Sequence, residues 1–167
     1  MKNPKFTVEY RRKRAQKTDY RKRLKLLQSN LPRFVVRRQS NKIIAQIVQY
    51  YQDGDTILAS AQRKDLEKLG WKLPTGNLPG AYLLGYLLGK KAQNKKIAKA
   101  ILDLGVHTIT KGSRIFACLK GAVDAGLDVP HSPEMFPPED RITGKHIDAY
   151  RKTNMQKTFA EVKAKIT

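Results

Sequence analysis

Residues 33–61, RFVVRRQSNKIIAQIVQYYQDGDTILASA, constrain the fold more tightly than any other stretch. Two apolar-rich runs, 33–38 and 43–51, flank Ser40-Asn41, a pair suited to a tight turn. Asp53-Gly54, among the strongest short-range hairpin signals, separates the second run from a third at 56–61. The pattern predicts a three-stranded antiparallel meander. With Ser40-Asn41 as the central turn residues, Arg38 pairs with Ile43, Val36 with Ala45 and Phe34 with Ile47. Side chains alternate along a strand, so Phe34, Val36, Ile43, Ala45 and Ile47 share an apolar face while Arg33, Arg37 and Gln46 lie opposite. Such a sheet is half core and half platform for a polyanion. In the third strand a plain Asp-Gly loop puts Leu58 on the face of Ile47, whereas one bulged residue puts Ile57, Ala59 and Ala61 there. The bulged form makes the better core and is the one predicted.

What the platform would face follows from charge. The 167 residues carry 34 Lys+Arg against 14 Asp+Glu, a net charge of +20. An excess of this size repels itself until a polyanion neutralises it, which puts nucleic acid first and an anionic membrane surface second. Residues 1–25 alone supply nearly half of the excess, with Arg11, Arg12, Lys13, Arg14, Lys17, Arg21, Lys22 and Arg23 among them. Too few apolar residues accompany them to build a core. Tyr10 and Tyr20 interleave with the basic clusters as stacking side chains do in RNA binders, and the competing reading is a solvated basic tail. A division into an arm (1–30), a core (31–129) and an extension (130–167) is expected.

A short helix at 64–69 ends at Gly70, and a longer one begins near Pro79 with Leu83, Leu84, Leu87 and Leu88 as its apolar stripe. Gly85 and Gly89 lie four apart and are expected to let this helix approach the sheet closely. Residues 90–96 read as a basic loop, 97–104 as a fourth strand parallel to the third, and 113–125 as a second helix. The expected class is α/β: a mixed sheet, an antiparallel three-stranded meander plus a parallel strand, with helices packed on one face. From Pro130 the chain is proline-rich and reads as an extended arm, followed by a loosely helical period over 145–167. The longest apolar run, 78–88, is well short of the ~20 residues of a spanning helix, and no apolar segment follows the basic start as in a secretory signal. A soluble protein is expected, and one cysteine, Cys118, excludes an intramolecular disulfide and suits a reducing cytosol.

Little in the chain points to catalysis. His107, His131 and His146 are scattered and share no metal-ligand spacing with Cys118, which falls on a helix as a small core residue would. Asp103 and Asp124 form no acid/base pair, and Glu139-Asp140-Arg141 reads as a local ion pair. The expectation is no catalytic residue, metal, cofactor or small-molecule substrate. Lys111-Gly112-Ser113-Arg114 is open to two readings: a phosphate site on backbone amides at a helix start, or ordinary capping by Ser113.

Three segments carry a resemblance. RFVVRRQSNKIIAQIV is similar to the first hairpin of the L-eighteen family of large-subunit ribosomal proteins. PTGNLPGAYLLGYLLGKKA resembles the start of its main helix in the archaeal and eukaryotic branch, and PPEDRITGKHI resembles that branch's C-terminal extension. They occur in the family's order along nearly the whole chain, and the stop at Thr167 looks archaeal. The resemblance implies an α/β core with an RNA-bound basic arm, no enzymatic activity, and a place in the central protuberance of the cytoplasmic ribosome. There it implies contacts with 5S and 23S ribosomal RNA and neighbouring large-subunit proteins, and no membrane partner. It assigns RNA contacts to the arm and to Arg33, Arg37, Arg38, Ser40, Asn41 and Lys42, and less directly to Lys111 and Arg114, where residues 106–111 depart from the glycine-rich bacterial form. Competing classes are an RNA-modifying or RNA-processing enzyme, which needs a convergent polar pocket, and a DNA-packaging protein, which would be indifferent between RNA and duplex DNA.

Overall fold

The computed structural model describes residues 7–166, so the part of the expected basic arm at 1–6 lies outside the described residues. Strands β1 (Arg33–Arg38), β2 (Ile43–Tyr51), β3 (Gly54–Ala61) and β4 (Ile101–Asp103) form one mixed sheet in the order β3-β2-β1-β4. The helices are α1 (Arg11–Arg14), α2 (Tyr20–Leu27), α3 (Arg63–Lys68), α4 (Leu78–Asn94), α5 (Arg114–Asp124), α6 (Glu139–Thr143), α7 (Lys145–Arg151) and α8 (Met155–Ile166).

The β1–β2 register is the predicted one, with Arg38 opposite Ile43, Val36 opposite Ala45 and Phe34 opposite Ile47. All five apolar residues of that face are fully buried beneath α4 and α5. The second hairpin differs. Tyr51 pairs with Gly54, so Gln52-Asp53 form the loop, one residue earlier than the Asp-Gly signal indicates. A bulge does occur, but within the strand: Ile47 pairs with Ala59 and Val48 with Ile57, leaving Leu58 as the extra residue. Ala59 and Ala61 therefore reach the core as expected, whereas Ile57 is 54% exposed and Leu58 packs partly against the core. The bulge reverses facing at mid-strand, and the prediction for Ile57 fails.

Asn77 caps α4 by accepting a hydrogen bond from Gly80 N at 2.9 Å, and Pro79 sits in the first turn, where a missing N–H costs nothing. The small residues of α4 face α5 rather than the sheet. A Cβ on Gly85 would lie 1.8 Å from the Cys118 carbonyl oxygen, and one on Gly121 would lie 2.1 Å from that of Tyr82. The two helices thus cross backbone against backbone, which only glycine permits. The expected basic loop at 90–96 is mostly the last turn of α4. Lys91 Nζ reaches Ser60 O at 2.8 Å and Asp65 Oδ2 at 2.9 Å, tying that turn to β3 and α3. The fourth strand is only three residues long, because Ala98, Lys99 and Ala100 pair with Asp128 instead. It joins β1 in parallel, so β3 and β4 run in the same direction at opposite edges of the sheet.

Past Pro130 the chain is not an extended arm. A 3-10 turn at Pro133–Met135 leads into α6, α7 and α8, and Ile142, Met155, Phe159 and Val162 complete the core beside α4. Asp148, within α7, accepts hydrogen bonds from Met155 N, Gln156 N and Thr153 Oγ1 at 2.7, 3.0 and 2.8 Å and so ties α7 to the start of α8. Among the described residues no helix is long and apolar enough to cross a membrane.

Candidate nucleic-acid interface

The polar face of the sheet carries a chain of alternating charges. Arg23, on α2, binds both oxygens of Asp55 at 2.9 Å each. Arg33 Nη2 lies 2.8 Å from Asp55 Oδ2 and Nη1 lies 2.9 Å from Asp103 Oδ2. Arg37 then shares Asp103, donating to its Oδ1 at 3.0 Å and to its carbonyl at 2.7 Å. Asp103 also accepts from Gly105 N at 2.8 Å, which fixes the start of the loop after β4. Burial opposes ionisation of Asp55, but the Arg23 and Arg33 guanidinium groups outweigh it and hold the carboxyl below its ordinary range.

This network sorts the two arginines that sequence alternation placed together. Arg33 is 3% exposed, enclosed between two carboxylates, and its expected RNA contact is corrected: it is a buried structural cation. Its Nε has no hydrogen-bond partner among the described residues, and its Nη2 approaches Asp55 off the hydrogen-bonding line. Arg37 is half-buried and oriented by Asp103, with one edge left to solvent. Preorganised guanidinium of this kind suits phosphate, because its rotamer is fixed before the ligand arrives.

Arg37 borders a groove of about 730 Å³ between α2 and the loop after β4. Arg12, Lys17, Lys22 and Lys25 line the arm side, and His107 and Ile109 the other. Asp19 caps α2, accepting from Arg21 N at 3.0 Å and Lys22 N at 3.1 Å, so the helix presents its cations in a fixed array. Arg11, Arg12, Lys13, Arg14, Lys17, Arg21 and Lys22 are all exposed. Lys13 pairs with Glu9, and Lys22 lies 3.9 Å from Asp19. Arg11, Arg14, Lys17, Arg21 and Lys25 have no carboxylate partner among the described residues. The Tyr10 and Tyr20 rings pack at 5.3 Å, joining the two arm helices into an aromatic and cationic surface. Burial first, then the charges of Arg38 and Arg37, lower the His107 pKa.

A second group lies around the β1–β2 turn. Ser40, Asn41 and Lys42 are exposed at its tip, closed by Gln39 N donating to Lys42 O at 2.9 Å. Arg114 braces this tip to the loop before α4, donating to Gly76 O at 2.7 Å. Its pKa is lowered by burial and then by Arg38. Lys111 sits 3.3 Å from Glu134 on the surface. Ser113 occupies the N-cap position of α5, yet its hydroxyl makes no capping bond. Arg38 has no carboxylate partner among the described residues.

Sequence reading passed over His107, Arg141, His146 and Tyr150 as contact candidates. The first follows Gly105 in the loop that departs from the bacterial form, Arg141 lies in the proline-rich stretch read as an extended arm, and His146 and Tyr150 lie in the loosely helical period after it. Among the described residues no three His, Cys, Asp or Glu side chains gather as a metal site. Cys118 is fully buried in the α4–α5 contact, and burial pushes its thiol up to about 12.

Residues 4–99 and 90–132 match a family model described as ribosomal large subunit proteins 60S L5 and 50S L18. The large ribosomal subunit protein uL18 of Korarchaeum cryptofilum (strain OPF8) is 52% identical over 145 residues, covering 87% of this chain and 74% of the relative.

Proposed function

Since the chain belongs to the family of large-subunit ribosomal proteins that holds 60S L5 and 50S L18, we propose that it binds 5S ribosomal RNA and attaches it to 23S ribosomal RNA in the central protuberance. Membership makes it a structural protein of the large subunit in the cytoplasmic ribosome, in contact with ribosomal RNA and neighbouring ribosomal proteins. The observation that carries the finer reading is the groove between α2 and the sheet edge. Of its cations, Arg12, Lys17 and Lys25 are exposed and have no carboxylate partner among the described residues, and Arg37 is held in place by Asp103. Lys and Arg in such a groove exchange condensed counterions for phosphates, and a fixed geometry adds shape recognition of an A-form helix or loop. RNA contacts are assigned to Arg11, Arg12, Lys13, Arg14, Lys17, Tyr20, Arg21, Lys22, Arg37, Arg38, Ser40, Asn41 and Lys42. Lys111 joins them at the periphery, while Arg23 and Arg114 act mainly by positioning.

The test is a gel shift on 5S ribosomal RNA at moderate salt with excess transfer RNA as competitor. A complex that survives the competitor supports the reading. Equal competition by transfer RNA or duplex DNA overturns it in favour of a general polyanion binder.

A further inference from the structure

Two neighbouring hollows lie at the start of α5 and beside α7. One, of about 320 Å³, lies at the N-terminus of α5 and is lined by Arg38, Ser113, Arg114, Arg141 and His146. The other, of about 470 Å³, is an apolar groove lined by Leu73, Pro74, Ile147 and Tyr150, with Arg151 at its edge. Asn77 and His146 line both, so the two are adjacent.

The first hollow has the chemistry of an anion site. Arg38 comes from β1 and Arg141 from α6, and neither has a carboxylate partner among the described residues. They converge on the positive end of an 11-residue helix. An independent mark of a missing acceptor is the Ser113 hydroxyl, which is shut off from solvent and makes no hydrogen bond. Buried hydroxyls are nearly always paired, and this one stands in the hollow's wall, where a small shift at the start of α5 would bring it to a phosphate oxygen. The second hollow has the complementary chemistry. Tyr150 is 86% exposed on a folded helix, beside apolar walls that no part of the described chain covers. A cationic hollow beside an apolar, aromatic one matches the two ends of a nucleotide.

Resting on the ribosomal RNA reading above, we propose that the two hollows form a single site for one unstacked nucleotide of RNA. Its phosphate lies between Arg38, Arg141 and Ser113 Oγ, and its base lies in the groove against Tyr150. The C-terminal extension then contributes to recognition as well as to the core. This contact is separate from the arm groove, which holds backbone phosphates without an apolar compartment for a base.

The test uses the full ¹⁵N-labelled chain and three probes: inorganic phosphate, adenosine and adenosine 5′-monophosphate. Phosphate should shift the amides of Gly112, Ser113 and Arg114, and adenosine those of Ile147 and Tyr150. The monophosphate should shift both sets and bind about tenfold tighter than either part, since the second contact is made intramolecularly. Arg141→Gln should weaken the phosphate response and Tyr150→Ala the adenosine response. Both residues are exposed, so an unchanged melting temperature is expected. Shifts confined to the arm, or variants that respond like the parent, overturn the site. The 5S gel shift separates the two readings. Parent affinity for 5S RNA with no response at these amides removes the site and leaves the ribosomal reading standing. Failure of 5S RNA to displace bound monophosphate would assign the hollows to a free nucleotide and overturn the RNA assignment.

Discussion

The two ends of this chain are both cationic, the first far more strongly, and their physics is opposite. Neither α1 nor α2 contains a buried residue, and Arg23 on Asp55 ties the arm to the sheet by an ion pair. The C-terminal end is also cationic, yet Ile142, Met155, Phe159 and Val162 insert into the core beside α4. Burying an apolar side chain contributes about 1.5–3 kcal/mol, which offsets ordering, whereas exposed charge offers little until a partner arrives. Net charge therefore identifies the partner of a segment but not whether the segment folds without it. Spacing of the few apolar residues decides the second question.

Paired substitutions break the comparison most directly. Phe159→Ala should cost about 3–5 kcal/mol of stability, as for other large buried side chains. Leu24→Ala, on an exposed face of α2, should stay within about 0.5 kcal/mol. Denaturant midpoints measure both, and similar losses would show that the arm belongs to the core.

On the sheet's polar face, Arg33→Ala should lower stability by about 3 kcal/mol, the low end for removing one partner of a buried pair. Arg23 and Arg37 still face the two carboxylates, which limits the loss. Arg37→Ala should cost less than about 1 kcal/mol and act on RNA affinity instead. Equal melting temperatures for the two variants would contradict the burial of Arg33.

Deleting residues 1–25 should flatten the slope of log affinity against log salt by about 4. That supposes half of the arm's basic residues reach phosphate, each adding roughly 0.7–0.9. The melting temperature should fall only slightly, from loss of the Arg23–Asp55 contact. Unchanged slopes would leave the sheet edge and the C-terminal hollows to hold the RNA alone.

The smallest effect is a pH dependence. Asp55 has a folded pKa below its ordinary value of 3.8, so its contribution is fully present above that value and is lost as pH falls through the lowered one. Asp55→Asn should remove this part of the acid limb of the stability curve. A limb unchanged by the substitution would show the ladder from Arg23 to Arg37 to be unimportant for docking the arm.

Alternation made the β1–β2 register legible because one slip would expose Phe34, Val36, Ile43, Ala45 and Ile47 together. The α4 start was legible from Pro79. The burial of Arg33 was not, since its partners lie at positions 55 and 103 and nothing local distinguishes it from Arg37. The α4 terminus was misread because lysines in an exposed last turn look like a loop. Leu58 escaped because an interior bulge exchanges faces without a glycine to mark it. In the extension, the prolines at 133 and 138 begin helical turns rather than interrupt them, so a helix-breaking composition concealed folded structure. The arm's cations and Ser40-Asn41-Lys42 stood out as contact candidates because each group is contiguous or nearly so in sequence, whereas the hollow at Ser113 depends on Arg38 and Arg141, far apart in sequence.

The glycine-lined crossing of α4 and α5 has a consequence for selectivity. With Cys118 O held against Gly85, α5 cannot slide or lift relative to α4 without opening a gap between two backbones. Arg114, at the front of α5, grips Gly76, just ahead of α4. The hairpin tip, the Ser113 hollow and the sheet edge beside Arg37 therefore behave as marks on one ruler. A flexible polycation adapts to any spacing of negative charge and so distinguishes poorly among RNAs. A ruler rejects every fold whose phosphates fall between its marks, and the crossing sets its scale through steric contact that salt does not screen.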